Sequence, residues 1–237
     1  MSLTSVGPSR KTAAEMFNKI SRTYDFLNLL LSFGLDRYWR WRAARWLDPK
    51  RHGKILDCAT GTGDQLFAFL KRARSSVEAI GIDPAANMLV LAKEKCARRR
   101  LQATFVEGRA DALPFVEASF DLLSMSFGIR NVEDVARSLA EMRRVMKPGG
   151  RMLILEFSLP SSRLFKTLHL FYLHRVLPLI GRWISGHDAA YTYLANTITT
   201  FPYGENFCRL VEEAGFSTCA CYPLTMGIVS LYVAETR

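Results

Sequence analysis

The chain has 237 residues, 49% of them hydrophobic and 23% charged. That composition excludes a disordered or fibrous chain, and the length supplies enough apolar area for one large core, so one domain is expected. The net charge of +10 is unevenly spread. Residues 10–54 hold 11 Lys and Arg against 4 Asp and Glu, residues 160–200 hold 4 against 1, and the rest sums to zero. Two basic segments of this kind imply an anionic surface, nucleic acid or lipid headgroups, unless they are simply solvated. No secretion signal is expected, since the first 20 residues contain no apolar run of the necessary length. The longest apolar stretch, 164–184, carries Lys166, His169, His174, Arg175 and Arg182, too many ionisable groups for a membrane span. Five cysteines without a Cys-x-x-Cys pair read as reduced thiols of a cytoplasmic protein, with no metal site.

In chain order, residues 1–50 are expected to form a helical cap rich in aromatic and basic side chains, among them Tyr24, Phe33, Trp39 and Trp41. From 53 to 157, short apolar runs alternate with helix-length segments: 54–58, helix 64–74, 77–82, helix 85–99, 103–107, 120–126, helix 133–146 and 150–157. Such alternation specifies a parallel sheet with helices on both faces. Lys147-Pro148-Gly149-Gly150 is expected to end the third helix, with glycine supplying the left-handed cap. Residues 160–200 read as a helical lid insertion, with apolar residues at 164, 168, 171, 172 and 179 and a break near Pro178. It is either a cover helix packed on the core or a pocket lid that also meets lipid. Helix 204–214 and the apolar runs 217–222 and 228–234 close the chain as an antiparallel hairpin at the sheet edge. The whole is expected to be an α/β fold whose mostly parallel seven-stranded sheet resembles that of the class I methyltransferases.

The first strand ends in Asp57 and runs into Gly61-Thr62-Gly63, and the second ends in Asp83. Two glycines let the backbone turn sharply and approach a ligand, and a carboxylate about 20 residues further on can bind a ribose diol. A dinucleotide site would want a third glycine where Leu66 stands. Asp57, four residues before Gly61, suits the methionyl ammonium of S-adenosylmethionine better than a pyrophosphate. Ligands of open sheets lie beyond the carboxyl ends of the strands, so Asp57, Asp83, Ser126 and Glu156 are expected to face one crevice.

Met16-Phe17-Asn18-Lys19-Ile20-Ser21-Arg22-Thr23-Tyr24-Asp25, Ala112-Leu113-Pro114-Phe115, Ser126-Phe127-Gly128-Ile129-Arg130-Asn131, Lys147-Pro148-Gly149-Gly150 and Leu155-Glu156-Phe157-Ser158 together resemble the quinone-biosynthesis C-methyltransferases. These act on demethylmenaquinol and on the polyprenyl benzoquinol precursor of ubiquinone. The resemblance spans almost the entire chain and implies cofactor contacts at Thr62, Asp83, Arg109, Ala110 and Ser126. Asp83 can accept the ribose hydroxyls, and Asp111 the adenine amino group. The family usually has glycine where Thr60 stands and a small amide where Arg109 stands, so a backbone contact is what survives at 109.

The implied substrate is a polyprenyl quinol, most simply demethylmenaquinol. Methylating its ring carbon requires the reduced form and loss of a phenolic proton. Arg130 and Asn131 are the candidates to stabilise the developing oxyanion or orient a water, and Tyr24 to close the site. Arg130 as a loop-supporting ion pair and Tyr24 as core packing are the structural alternatives. His169 and His174 read as lid-surface residues. A nucleic-acid partner is set aside for want of an amino-methylation loop, peripheral contact with an anionic membrane is retained, and a homodimer stays open.

Overall fold

The computed structural model describes residues 15, 18, 25, 28, 29, 32–73, 77–179 and 188–237, with the backbone alone for 188–192. Helix α1 (Leu35–Ala44) leads into the alternating core: β1 (Lys54–Cys58), α2 (Asp64–Ala73), β2 (Glu78–Asp83), α3 (Ala86–Arg98), β3 (Thr104–Glu107), β4 (Phe120–Ser126), a single 3-10 turn (Ile129–Asn131), α4 (Val135–Val145) and β5 (Met146–Phe157). After the lid come α6 (Asp188–Thr200), α7 (Glu205–Glu213), β6 (Thr218–Leu224) and β7 (Val229–Glu235). The seven strands lie in the order β3-β2-β1-β4-β5-β7-β6. Five run parallel, β7 pairs antiparallel with β5, and β6 pairs antiparallel with β7.

Why these runs become central strands follows from their composition. In β1 and β4 nearly every residue is buried, because helices cover both faces and no position needs to be polar for solvent. Alternate side chains build two cores. Leu56, Leu123 and Ile154 meet Leu139 and Met142 of α4 and Phe207 of α7. Ile55, Leu122 and Leu153 meet Trp39 of α1 and Leu66 and Phe69 of α2 on the other face. Truncating one such leucine to alanine would cost about 2–5 kcal/mol. Local chemistry agrees with the packing: Asp134 caps α4 by accepting from Arg137 N at 2.9 Å, and Arg143 and Arg144 occupy its last turn.

Three expectations need correction. The Lys147–Gly150 segment does not cap α4. That helix ends at Val145 with Met146 already extended and paired with Phe120, and Gly149, at φ 72°, turns the chain inside β5 instead. The donors freed there go to the C-terminal strand: Gly149 N to Thr236 O at 3.1 Å and Gly150 N to Thr236 Oγ1 at 3.0 Å.

The lid helix α5 (Arg163–Phe171) is likewise not broken near Pro178 within the described residues. It widens into a π turn at Tyr172–Val176 and continues helical to Leu179. Proline at 178 lacks an N–H and would clash with the carbonyl four residues back, which the wider turn avoids. Two apolar stripes share this helix, and the packing selects between them. His169 is buried, and Leu173 and Leu177 are buried against Leu159 and against Ala195 and Ile198 of α6, while Leu164, Leu168, Phe171 and Leu179 face outward. His169 is therefore buried rather than a surface histidine, and desolvation lowers its pKa.

Candidate active site

The turn after β1 is held from below. Asp57 is buried, its two oxygens accepting from Ser124 Oγ and from Thr60 Oγ1, the latter at 2.7 Å. Burial pushes its carboxyl up to about 6, against the pull of these two hydroxyls. Thr60 thus closes the turn through its side chain. Above it Ala59, Gly61 and Gly63 take φ of 49°, 56° and 87°. A Cβ on Gly61 would meet nothing within 4 Å, whereas one on Gly63 would lie 2.7 Å from Phe67. The turn therefore opens onto free space at Gly61 and packs on α2 at Gly63.

Asp83, at the end of β2, ties this turn to the next. Its oxygens accept from Gly61 N and Ala85 N, each at 2.8 Å, and burial raises its carboxyl to about 6 against those bonds. Each oxygen retains a lone pair for a diol. Gly108 N donates to Asp83 O at 3.2 Å, bringing the loop after β3 to the same edge.

On that loop Arg109 grips Asp111 through Nε at 2.9 Å and Nη2 at 2.6 Å, and reaches Glu133 at 3.0 Å. The guanidinium bonds hold the Asp111 carboxyl below its usual range. The side chain of Arg109 is half exposed, and Ala110 beside it packs on the core. Asp111 is thus occupied by its own neighbour.

Thr62 belongs to a polar cluster that the sequence did not reveal. Its hydroxyl donates to Asp25 Oδ1 at 2.6 Å and accepts from Lys95 Nζ at 2.9 Å, and the same ammonium lies 2.8 Å from both Asp25 Oδ2 and Asp64 Oδ1. Burial opposes ionisation of Asp64, but Lys95 outweighs it and holds that carboxyl below the usual range. Lys95 had a signal in the chain: it falls on the stripe Met88, Leu89, Ala92, Cys96 that α3 buries.

Beyond β4, Phe127 adopts a left-handed φ of 59°, strained for a non-glycine residue. It is held by Phe157 and Trp39, with ring centroids 4.7 and 6.0 Å away, and by Arg40, 5.3 Å from its ring. This turn aims its carbonyl at two donors, Arg130 Nη1 at 2.8 Å and Asn131 Nδ2 at 3.3 Å. Arg130 also binds Glu156 Oε1 at 2.6 Å, with the two side chains only 7% and 1% exposed. The structure therefore gives Arg130 the loop-supporting ion pair, and Glu156 faces Arg130 rather than an open crevice. Asn131 Oδ1, in contrast, is buried without a hydrogen-bond partner. Ser126 Oγ donates to Gln65 Oε1 at 3.2 Å, and the buried Gln65 reaches Arg40 O at 3.4 Å, a second link absent from the sequence reading. Tyr24 lies outside the described residues.

A parallel sheet reversed only at its β7-β6 edge, with an open glycine turn and a buried carboxylate at the ends of β1 and β2, is the fold of the class I S-adenosylmethionine-dependent methyltransferases. A solved structure from Thermotoga maritima, described as an S-adenosylmethionine-dependent methyltransferase and possible histamine N-methyltransferase, shares it with a TM-score of 0.63 and 19% identity, over 94% of this chain and 99% of that one. The chain belongs to the ubiE/COQ5 methyltransferase family, whose model matches residues 5–236. The ubiquinone/menaquinone biosynthesis C-methyltransferase of Geobacter sulfurreducens is 43% identical over 93% of this chain and 87% of its own length. The demethylmenaquinone methyltransferase of Deinococcus radiodurans is 43% identical over 94% and 92%.

Proposed function

We propose that this methyltransferase C-methylates a reduced polyprenyl quinone precursor, demethylmenaquinol, with S-adenosylmethionine as donor. Family membership and the names of the relatives support the reaction class. The observation that carries the residue assignment is the unpartnered, buried Asn131 Oδ1 beside the strained Phe127 turn. A buried acceptor left without a donor costs about 1–3 kcal/mol, which a quinol hydroxyl donating to it would offset.

In this reading, Asp83 and the Gly61-Thr62-Gly63 backbone hold the donor's ribose and methionyl parts, with the Ala110 backbone at the adenine end. When bound, S-adenosylmethionine supplies a sulfonium methyl group to a nucleophilic carbon. Asn131 orients the phenolic hydroxyl, whose proton leaves through water. Electron density would then move to the adjacent ring carbon, which would take the methyl as its bond to sulfur breaks and S-adenosylhomocysteine leaves; loss of the ring C–H proton would restore the aromatic ring, and the oxygen would regain its proton from water. Arg130 acts through Asn131: with Glu156 it fixes the Phe127 carbonyl that orients the amide. Tyr24 keeps its assignment as the residue closing the site from the N-terminal side. A polyprenyl tail places the substrate in a bilayer, so peripheral contact with an anionic leaflet belongs to this reading.

The test is transfer of labelled methyl to a short-tailed demethylmenaquinol kept reduced, with the oxidised quinone and RNA as controls. Ring-methylated product from the quinol alone is expected. Equal transfer to RNA, or none to the quinol, refutes the proposal. The paired names of the Geobacter relative make the polyprenyl benzoquinol precursor of ubiquinone the second substrate to test.

A further inference from the structure

The lid helix turns an apolar face outward. Leu164, Leu168, Phe171 and Leu179 are 65%, 55%, 61% and 60% exposed, while the opposite face is buried in the protein. A helix that packs on a core and faces water normally shows the reverse pattern outside.

Two neighbouring segments extend this face. Phe33, 77% exposed, sits against Tyr172 of the π turn with ring centroids 6.3 Å apart. Met226, 65% exposed, lies on a 3-10 turn where Thr225 and Met226 both take left-handed φ, at 48° and 57°. Trp39 Nε1 holds that turn by donating to Thr225 Oγ1 at 2.7 Å, and the backbone of Pro160, just before the lid, packs on Gly227. Two consecutive strained residues that present a methionine to solvent indicate that this display is imposed by the fold.

Charge decides the occupant. The sequence has no Asp or Glu between Glu156 and Asp188, and the lid carries Arg163, Lys166 and Arg175 among the described residues. From 35 to 45 the only acid is Asp36, bonded to Ser32, against Arg37, Arg42 and Arg45, while Arg40 turns inward onto Phe127. A second copy of this face would bring cations against cations, which opposes a dimer through it. Exposed apolar side chains on a helix whose charges are all cations, together with the exposed Tyr38 and Trp41 of the arginine-rich α1, match the interface of an anionic bilayer.

We infer that the outward face of the lid, with Phe33 and Met226, docks on an anionic lipid surface, the apolar side chains inserting and the cations meeting headgroups. This deepens the substrate reading but does not depend on it for binding. The experiment uses the full chain and vesicles of phosphatidylglycerol or phosphatidylcholine containing no quinone. Wild type sediments at least tenfold more strongly with the anionic vesicles and keeps measurable binding at high salt, because insertion is apolar. Leu168→Glu/Phe171→Glu, and separately Met226→Glu on another segment, reduce partitioning tenfold or more with an unchanged melting midpoint, since all three side chains are exposed. A wild type that ignores anionic vesicles, variants that bind as wild type does, or a dimer that dissociates in these variants overturns the inference. A parallel assay on a soluble short-tailed quinol should show equal turnover for wild type and variants. Its failure in wild type refutes the substrate reading and leaves the vesicle result to decide docking.

Discussion

Replacing Arg130 by methionine leaves Glu156 buried with only backbone donors, Phe157 N at 2.8 Å and Arg130 N at 3.4 Å. The charge-assisted bond lost to Glu156 is worth about 1.5–3 kcal/mol and the bond to the Phe127 carbonyl about 0.5–1.5. Their sum agrees with the roughly 3–5 kcal/mol typical of removing one partner from a buried pair. At about 2–4 °C per kcal/mol for a chain of this size, the melting midpoint should fall by roughly 6–20 °C. Glu156→Leu added to Arg130→Met removes the stranded charge and should recover most of that stability. Calorimetry on the wild type, both single variants and the double variant measures this, with turnover followed at a temperature where all are folded. If Arg130 positions the loop, the double variant regains part of its activity along with its stability. An unchanged midpoint in Arg130→Met refutes the energetic reasoning. A stable double variant with no activity would instead put the guanidinium on the substrate.

Donor binding should tighten as pH rises from 5 to 7, because Asp83 is raised to about 6 and the ionised form is the better acceptor for a diol; Asp83→Asn should flatten this dependence in calorimetry and weaken binding about tenfold or more. Asp57 gives a stability effect of definite sign. With its carboxyl raised from 3.8 to about 6, the native state holds a proton that the unfolded chain has lost. Its contribution, of order 3 kcal/mol, is thus present below pH 4 and lost as pH rises to 6. The urea midpoint of wild type relative to Asp57→Asn should decline across that window, and a difference independent of pH would contradict it. Gly128→Ala would place a Cβ 2.7 Å from that of Ala59, so about 1–3 kcal/mol of stability should be lost on denaturant unfolding. Arg109→Asn should leave donor affinity equal or higher, since it releases the Asp111 oxygens that Arg109 now occupies; a marked loss would show a direct contact from the guanidinium.

The sheet was legible in the sequence because alternating apolar runs and helix-length segments leave one efficient way to bury both faces of each strand. The reversed hairpin was legible from the few residues between Tyr222 and Ile228. The glycine turn and Asp83 could be read for the same local reason: their geometry is set by neighbours in the chain. What escaped is long-range. Nothing near Arg130 announces Glu156, and only the fold brings Lys95 to Thr62. The orientation of the lid stayed open in the sequence because the helix is apolar on two sides. Leu173 and Leu177 compete with Leu164, Leu168 and Phe171 for the core, and periodicity alone does not say which stripe wins. Proline 178 suggested a break because its cost is real, but a π turn accommodates it without ending the helix.

The hydrogen bonds from Thr62 and Lys95 to Asp25 join the glycine turn to a residue far upstream in the chain. Under the donor assignment proposed above, whatever free energy these contacts lend to donor affinity, a bound donor must return equally to them. The contacts and the donor are therefore a reciprocal pair. Calorimetric titration of wild type and Asp25→Asn with S-adenosylmethionine would read that coupling as a single difference in affinity.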